Sequence, residues 1–443
     1  MRKISFIIAG VILLAISYLF LWRFYPKNMG MIYGLAVLYA LDLYLYWVYH
    51  KSIWSKSKLR GFLLSTIYAM PLLMIIGMAV VSIFNPYNQW GLGFRTYFAG
   101  FIFIGYFSKL IPIVLIMLSD LMIIIRKFFR YQKRKSEDGG KKISRSEFIK
   151  KAGLATGALV FGTLTLGMFK WVYDFNVIRK KVHLPNLPNS FEGFRIVQLS
   201  DIHLGSWVSE NEFSKAIETV NGLNPDIILF TGDLVNYSTD EAFRFENILN
   251  RLSAPFGVFC TLGNHDYGDY KRWDSPEEKD ENMNALFRLY ERVGWKLLRN
   301  QNEILHKDGS HIALLGVENW GSMKRFQKYG DLDKTIIGAE NAPVKLLMSH
   351  DPSHWQLKVN AFKNTIDLTF AGHTHGAQFG IEIPGIRWSP SQYIYKYWAG
   401  LYHHQNQKTG GKQYLYVNRG LGSIGYPGRV GILPEITVVE LYS

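Results

Sequence analysis

Five short clusters of Asp, His and Asn in the second half of the chain carry side chains suited to metal-dependent chemistry. Each cluster directly follows an apolar run, and strand ends of this kind aim loop residues into a common crevice. Carboxylate, imidazole and amide ligands together suit divalent manganese, iron, zinc or cobalt, and the lone Cys260 excludes a cysteine-rich zinc site. The clusters are Asp201-Ile202-His203, Gly232-Asp233, Gly263-Asn264-His265-Asp266, His350 and Gly372-His373-Thr374-His375-Gly376.

Two of these clusters repeat a spacing of two residues between their candidate ligands. Asp201 and His203 form one pair, and His373 and His375 form the other. In a strand-like segment, residues two apart point to the same side of the backbone. The spacing therefore predicts that both side chains of each pair can reach the metal site from one edge.

The apolar runs around the clusters have the length of buried strands. Each spans roughly four to seven residues bounded by Gly, Pro or Asp, a pattern typical of strands covered on both faces. Helical stretches separate them, so the sequence predicts sheet layers clad by helices from about Phe175 onward. The predicted strands are residues 194–199, 226–230, 257–262, 311–317, 344–348, 368–371 and 413–417.

The clusters and their order resemble the calcineurin-like metallophosphoesterases, whose pattern is D-x-H, G-D, G-N-H-D/E, H and G-H-x-H. The resemblance covers about residues 193–443, and no candidate ligand departs from the pattern. It implies a four-layer α/β/β/α fold in which two mixed sheets pack face to face. It also implies two divalent metal ions, one held by Asp201, His203 and His375, the other by Asn264, His350 and His373, with Asp233 bridging both.

The same resemblance implies a hydrolase of phosphate esters or phosphoric anhydrides. A water shared by two metal ions loses its proton near neutral pH and attacks phosphorus as hydroxide. His265 matches the family histidine that contacts the substrate phosphate and protonates the leaving oxygen, and Asp266 would orient it. Arg419 and Arg429 are candidates for binding substrate phosphate, because arginine pairs well with phosphate oxygens. A plain surface turn is the alternative for both.

Three stretches are similar to the YkuE/YaeI-type phosphodiesterases within this family, namely residues 195–205, 372–378 and 418–422. Those proteins are membrane-associated or exported and are often grouped with UDP-diacylglucosamine pyrophosphatases. The resemblance implies a phosphodiesterase or pyrophosphatase that acts on a phosphorylated small molecule, lipid or envelope precursor such as UDP-diacylglucosamine. The alternative is a membrane sensor or scaffold whose metallophosphoesterase domain binds a ligand without catalysis.

The first half of the chain is apolar enough to form a multi-pass α-helical membrane region. About 20 apolar residues cross the hydrocarbon layer as a helix, and the candidate segments are residues 4–22, 31–49, 61–84, 97–125 and 152–173. We predict four transmembrane helices in residues 1–130, a basic cytoplasmic linker in 131–151, a fifth transmembrane helix in 152–174, and the catalytic domain in 175–443. Residues 144–150 resemble a twin-arginine export signal, except that Ser146 replaces the second arginine.

The positive charges indicate how these segments are oriented. The formal net charge is +15, and much of the excess lies beside apolar segments, which favours contact with membrane lipids over binding to nucleic acid. Lys and Arg are dense in residues 51–60 and 126–142, whereas the connection before the fourth segment contains only Arg95. Positive connections remain in the cytoplasm, so the catalytic domain is predicted outside it.

Two further features each leave a choice between two interpretations. Asp42, Lys109 and Asp120 fall inside predicted membrane helices, where they either form a polar pathway or a sensor pair, or reach the interface from the helix ends. The aromatic stretch of residues 388–402 is either a platform for lipid tails or part of the buried core.

Overall fold

The chain forms two compact units, Met1–Thr165 and Leu166–Ser443. In the computed structural model, the described residues are 2–54, 57–129, 145–405 and 411–443. The first unit is helical, and the second combines strands with helices. This order agrees with the predicted fold class, a membrane region followed by an α/β domain.

Five long helices form the amino-terminal part of the chain. They are α1 (Arg2–Phe24), α2 (Met31–Ile53), α3 (Lys58–Phe84), α4 (Leu92–Phe129) and α5 (Arg145–Phe169). In the described residues, four stretches are long and apolar enough to cross a membrane, and they belong to α2, α3, α4 and α5. In α1 the apolar stretch is the shorter Gly10–Phe24, so the crossing of the membrane by α1 stays a prediction.

Helix α5 begins at Arg145, ahead of the start at residue 152 that composition suggested. Glu147 and Lys151 stand one turn apart and form an ion pair of 2.9 Å. Pairs with the acid on the amino-terminal side support a helix through a polar segment. The polar stretch therefore continues the helix, while residues 131–144 of the predicted linker lie outside the described residues.

Two charges inside the membrane helices pair with each other. Lys109 Nζ lies 2.7 Å from Asp42 Oδ1, and their side chains are only 12% and 10% exposed. The Tyr106 hydroxyl donates to Asp42 Oδ2 at 3.0 Å, and the Tyr68 ring centre lies 4.2 Å from Lys109 Nζ. Placement near the helix ends is therefore wrong for Asp42 and Lys109, because the pair joins α2 to α4 inside the unit.

The second unit is a four-layer α/β/β/α domain, as expected, and all seven predicted strands are confirmed with slightly shifted ends. Its strands are β1 (Asn176–His183), β2 (Arg195–Leu199), β3 (Ile227–Phe230), β4 (Val258–Cys260), β5 (Trp295–Leu297), β6 (Gln301–Lys307), β7 (Ser310–Gly316), β8 (Lys345–Met348), β9 (Leu368–Ala371), β10 (Ile381–Ile383), β11 (Ile386–Trp388), β12 (Gly400–Gln405), β13 (Lys412–Val417) and β14 (Glu435–Tyr442). Its helices are α6 (Glu210–Gly222), α7 (Asp240–Phe243), α8 (Glu246–Leu249), α9 (Pro276–Arg292), α10 (Leu332–Thr335) and α11 (Pro352–Leu357).

Two mixed sheets of six strands form the inner layers. Sheet A has the order β1-β14-β2-β3-β4-β5, and sheet B has the order β12-β13-β9-β8-β7-β6. In sheet A, β2, β3 and β4 run parallel to one another, whereas β14 is antiparallel to β2. Strands β8 and β9 are parallel in sheet B. The carboxyl ends of neighbouring parallel strands meet at one edge, which is where polar loops gather.

Alternating side chains hold the four layers together. Leu229 of β3 and Phe370 of β9 belong to the core between the sheets. Phe230 points to the other face of sheet A and packs with Phe213 of α6, while Trp355 of α11 covers the outer face of sheet B. Strands that are covered on both faces hold their ends rigidly, and they can therefore position the loops that follow them.

Removing one partner of the Asp42–Lys109 pair should destabilise the first unit. Lys109→Met leaves the Asp42 carboxylate buried without its cation, and breaking a buried pair in this way costs about 3–5 kcal/mol. We expect a lower thermal unfolding midpoint in detergent, and adding Asp42→Asn should recover most of the loss. Lys27→Met, at an exposed lysine, is the control. A Lys109→Met variant as stable as the wild type would contradict this account.

Candidate metal centre

The five polar clusters converge in the second unit. The cluster residues of sheet A follow β2, β3 and β4, and those of sheet B follow β8 and β9. Their candidate ligand atoms form three overlapping groups, and within each group all atoms lie within 4.8 Å of one another. The groups are Asp201 with His203 and His375, His203 with Asp233 and His265, and Asp233 with His350 and His373.

Two buried carboxylates lie at the middle of these groups. Asp233 Oδ2 is 3.1 Å from His350 Nε2 and 3.6 Å from His203 Nε2. Asp201 Oδ1 is 3.2 Å from His375 Nε2. Asp233 thus faces histidines from both predicted ligand sets.

The ionisation of these groups follows from burial and from their mutual charges. Burial disfavours the charged form of Asp201, but His375 outweighs burial and holds the pKa of Asp201 below its usual value. Burial likewise opposes the charge of Asp233, and His350 holds the pKa of Asp233 well below its usual value. Burial alone would lower the pKa of His350, but Asp233 and then Asp201 raise it to about 10. The centre therefore attracts positive charge, which metal ions can supply.

The histidine nitrogens also fit a divalent metal. His203 Nε2 and His375 Nε2 face each other at 3.1 Å, and His350 Nε2 faces His373 Nδ1 at 3.2 Å. Lone pairs at these distances repel unless a proton or a cation lies between them. Imidazole nitrogens next to carboxylates are the ligand mixture expected for manganese, iron, zinc or cobalt.

Two tyrosines orient candidate ligands: Tyr270, which the sequence did not single out, and Tyr395, which belongs to the aromatic stretch of residues 388–402. The Asn264 side-chain NH₂ donates to the Tyr270 hydroxyl at 2.9 Å. Asn264 Oδ1 is buried and lacks a hydrogen-bond partner in the described part of the chain, which leaves this oxygen available to a metal. On the other side, the Tyr395 hydroxyl lies 2.8 Å from His373 Nε2, so that Nδ1 of His373 faces His350. Partners of this kind fix the orientation of ligands.

Five of the seven predicted ligands lie in the left-handed backbone region. The φ angles are 50° for Asp201, 48° for His203, 60° for Asp233, 71° for His373 and 51° for His375. Such conformations are uncommon for residues other than glycine, and they cluster at functional sites. The expectation of strand-like geometry at the two-residue spacings is therefore wrong, because both pairs lie in tight turns beyond β2 and β9.

Two motif glycines are required by close approach at the centre. A Cβ atom at Gly263 would collide with the carboxylate and backbone of Asp233. A Cβ atom at Gly372 would collide with the side chains of Ser200 and Asp201. The loops after β4 and β9 can therefore approach the two carboxylates only if these positions are glycine.

His265 reaches the centre from the loop after β4. Its Nδ1 lies 2.7 Å from the Asn236 carbonyl oxygen, and its ring stacks on Tyr270 with 4.2 Å between the ring centres. Because Nδ1 contacts Asn236, Nε2 is the ring nitrogen left for a substrate, and His265 belongs to one group with the predicted ligands His203 and Asp233. A donor at this position can give a proton to a leaving oxygen.

Asp266 has a different role from the one expected. Its carboxylate accepts hydrogen bonds from the backbone N–H groups of Asp233, Leu234 and Gly263, each at 2.8 Å. Burial, followed by the charge of Asp233, raises the pKa of Asp266 to about 7. Asp266 thus ties the loop after β3 to the loop after β4, whereas the hydrogen bond that orients His265 comes from Asn236.

Comparison with known proteins agrees with this geometry. Residues 194–377 match the family model described as Calcineurin-like phosphoesterase. An uncharacterized metallophosphoesterase, YkuE of Bacillus subtilis (strain 168), is 31% identical over 315 residues, which cover 68% of this chain and 99% of that protein. The chain belongs to the calcineurin-like metallophosphoesterases. It is therefore a hydrolase that acts on phosphate esters.

The membrane region of this metallophosphoesterase also has relatives. Residues 27–171, which contain helices α2 to α5, match the model described as Probable Calcineurin-like phosphoesterase, transmembrane domain. A transmembrane protein with metallophosphoesterase domain from Danio rerio is 27% identical over 319 residues, 68% of this chain and 67% of that protein. UDP-2,3-diacylglucosamine pyrophosphatase LpxG of Chlamydia muridarum (strain MoPn / Nigg) is 27% identical over 295 residues, 56% of this chain and 82% of that protein. The chain is a membrane protein.

The two arginines that we expected to bind substrate phosphate in this metallophosphoesterase have other partners. Arg419 forms ion pairs with Glu435 and, at 2.5 Å, with Glu382. Arg429 donates to the backbone carbonyl oxygen of Gly420 at 2.9 Å. A surface turn is wrong as well, since both side chains are buried. These contacts give the arginines a structural role in the loop after β13 in place of the expected contact with substrate.

Replacing Asp233 should remove metal from the purified full-length protein. Asp233→Asn keeps the size of the side chain but removes the charge that faces both histidine sets, so we expect metal content per chain to fall from about two to one or fewer. Elemental analysis after loading with manganese measures this change. Asp308→Asn is a matched control, because Asp308 is an exposed aspartate that also has a positive φ of 47°. Full metal content in Asp233→Asn would show that Asp233 does not bind the metal ions.

Proposed function

We propose that this metallophosphoesterase hydrolyses a phosphodiester or diphosphate bond in a lipid-linked or envelope precursor, using two divalent metal ions. The observation that carries the proposal is the convergence of residues from five separate loops into groups no wider than 4.8 Å. Manganese, iron, zinc and cobalt all suit this ligand set. The proposed ligands are Asp201, His203 and His375 for one ion, Asn264, His350 and His373 for the other, and Asp233 for both.

Metal ions at this site would supply Lewis-acid stabilisation of the phosphate oxygens and a bound water that ionises near neutral pH. The chain supplies the proton donor. When His265 is protonated, Nδ1–H donates to the Asn236 carbonyl oxygen at 2.7 Å, and Nε2–H is free to donate to the leaving oxygen. Stacking on Tyr270 keeps the ring in this orientation. The proton and the leaving group then depart together.

A lipid-linked substrate is supported by two observations. The catalytic domain directly follows an apolar helix that is long enough to cross a membrane, so the domain is tethered where lipid precursors are concentrated. One relative, 27% identical, is a UDP-2,3-diacylglucosamine pyrophosphatase. A diphosphate that links a nucleotide to an acylated sugar has the charge that a dinuclear centre neutralises and the acyl chains that a membrane-tethered enzyme encounters.

Removing the proton donor should affect poor leaving groups most. For His265→Asn, we expect kcat to fall about 100- to 1000-fold for a diester with an alkyl leaving group. The fall should be much smaller for bis(p-nitrophenyl) phosphate, because p-nitrophenolate leaves without protonation. His306→Asn, at an exposed histidine of β6, is the control. Equal losses on both substrates would contradict the role of His265, and metal-loaded wild type without turnover of any ester would favour a scaffold.

The proposed location of the catalytic domain outside the cytoplasm has a direct test. Alkaline phosphatase fused after Tyr173 should be active, because this enzyme folds only outside the cytoplasm, and β-galactosidase fused there should be silent. The same reporters fused after Trp54, in the basic connection between α2 and α3, should give the opposite result because that connection is predicted to be cytoplasmic. Active β-galactosidase after Tyr173 would place the catalytic domain inside.

A further inference from the structure

Exposed apolar side chains of the catalytic domain are concentrated in one segment. From Phe175 onward, twelve large apolar side chains are exposed among the described residues, and six of them lie within residues 381–394. A contiguous group of this kind on a soluble surface marks a site of interaction. We call this segment the apolar hairpin; its six residues are Ile381, Ile383, Ile386, Trp388, Tyr393 and Ile394.

Strands β10 and β11 give the hairpin one apolar face. In their antiparallel pairing, Ile381 stands opposite Trp388, and Ile383 stands opposite Ile386. Directly opposed residues share a face of the ribbon, and alternate residues along a strand do as well. All four side chains therefore lie on the same face, and all four are exposed.

The other face of the hairpin is polar and contacts the domain, although the side chains of Arg387 and Glu382 on it are still 36% and 33% exposed. Glu382 stands opposite Arg387, and Glu382 forms an ion pair of 2.5 Å with the buried Arg419. The Arg387 guanidinium lies 4.5 Å from the ring centre of the buried Trp398. The hairpin is thus inverted relative to a sheet in water, which turns its polar face outward and its apolar face toward the core.

The aromatic stretch of residues 388–402 divides between the two alternatives that its sequence left open. Trp398 is buried in the domain, whereas Trp388 and Tyr393 are exposed on the apolar hairpin. Trp388 Nε1 donates to the Tyr393 hydroxyl at 3.2 Å. Paired amphipathic rings with one polar and one apolar side are typical of the membrane interface.

The apolar hairpin lies beside the end of the membrane helix α5. Within the second unit, the Arg429 N–H donates to the carbonyl oxygen of Gly167, in the last turn of α5, at 3.2 Å. The next residue, Val430, accepts from the Gly380 N–H at 2.9 Å, and Gly380 immediately precedes β10. These two backbone hydrogen bonds therefore connect the carboxyl end of α5 with the base of the hairpin.

The hairpin segment is also joined to the candidate metal centre. Ser389, directly after β11, donates through its hydroxyl to the Gly376 carbonyl oxygen at 2.7 Å. Tyr395, directly after Ile394, lies 2.8 Å from the proposed ligand His373. The apolar hairpin and the candidate metal centre are therefore joined through one loop system.

We propose that the face formed by Ile381, Ile383, Ile386 and Trp388 enters the acyl-chain region of a lipid bilayer and holds the metal centre at the level of the phosphate headgroups. The substrate class that follows, a lipid whose phosphate is hydrolysed without leaving the bilayer, rests on the proposed function. The contact of the hairpin with the bilayer does not rest on the proposed function. It follows from the inverted hairpin and from its position beside α5, and it is measured without turnover.

A fluorescent label on the hairpin tests this contact in the full-length protein. The variant Ile386→Cys carries an environment-sensitive nitrobenzoxadiazole label, and the sole native thiol, Cys260, is buried. The labelled protein is reconstituted in nanodiscs of phosphatidylglycerol and phosphatidylethanolamine, with or without doxyl-labelled lipid. We expect a blue shift of the emission and its quenching by the doxyl group. Ile337→Cys is the matched control, because Ile337 is an exposed isoleucine elsewhere on the domain, and its label should show neither effect.

Two results would overturn the proposal. A label at position 386 that is as water-exposed as the label at 337 excludes contact with the bilayer. A blue shift that is insensitive to doxyl lipid and increases with protein concentration shows that a second copy of the chain covers the face instead.

Turnover separates this proposal from the proposed function. Ile386→Glu should lower turnover of a diphosphate lipid in nanodiscs but not of water-soluble bis(p-nitrophenyl) phosphate, and Ile337→Glu should affect neither. A quenched label at 386 on a wild type that hydrolyses neither substrate supports the bilayer contact and rejects the function. An active enzyme whose label at 386 is not quenched would support the proposed function and reject the bilayer contact.

Discussion

The catalytic domain is organised around two carboxylates that are withdrawn from water. Asp201 and Asp233 are almost fully buried, and burying an ion costs several kcal/mol even after the protein relaxes. Asp201 accepts hydrogen bonds from the Ser200 hydroxyl at 2.6 Å and from the His373 N–H at 2.9 Å. Asp233 accepts from the His265 N–H at 2.8 Å. These bonds stabilise the charged forms, and the remaining oxygen positions face imidazoles rather than water.

This constraint explains why the centre needs both sheets. Sheet A supplies the carboxylates, sheet B supplies three of the four histidines among the proposed ligands, and the distance between them depends on how the sheets pack. A buried hydrogen bond of 2.9 Å from Gln198 of β2 to the Ala371 carbonyl oxygen of β9 fixes this packing next to the site. A polar group buried between sheets is costly unless it is paired. The bond therefore favours the one register in which the loops after β2 and β9 meet.

Local pattern was enough to predict seven of the fourteen strands in the described part of the catalytic domain, and the polar clusters that carry the candidate ligands, because both depend on short stretches of sequence. The partners of those ligands depend on tertiary structure. Tyr395 orients His373 from 22 positions away, and Lys109 pairs with Asp42 across 67 positions. No spacing rule connects such residues. Asp266 illustrates the same limit, since the resemblance implied that it orients His265, whereas its oxygens reach the backbone of another loop.

The turns around the ligands could not be predicted from the sequence for a different physical reason. A two-residue spacing suggests alternation along a strand, but left-handed residues at Asp201, His203, His373 and His375 produce the same convergence through tight turns. Conformations of this kind cost about 1–3 kcal/mol each, so a rigid framework must enforce them. The same framework holds the apolar hairpin, because Arg419 joins Glu435 of β14 to Glu382 of β10. The loops that bind metal and the surface proposed to meet lipid are thus held by shared contacts, and a displacement of the hairpin would be transmitted to the ligand loop through Ser389 and Gly376.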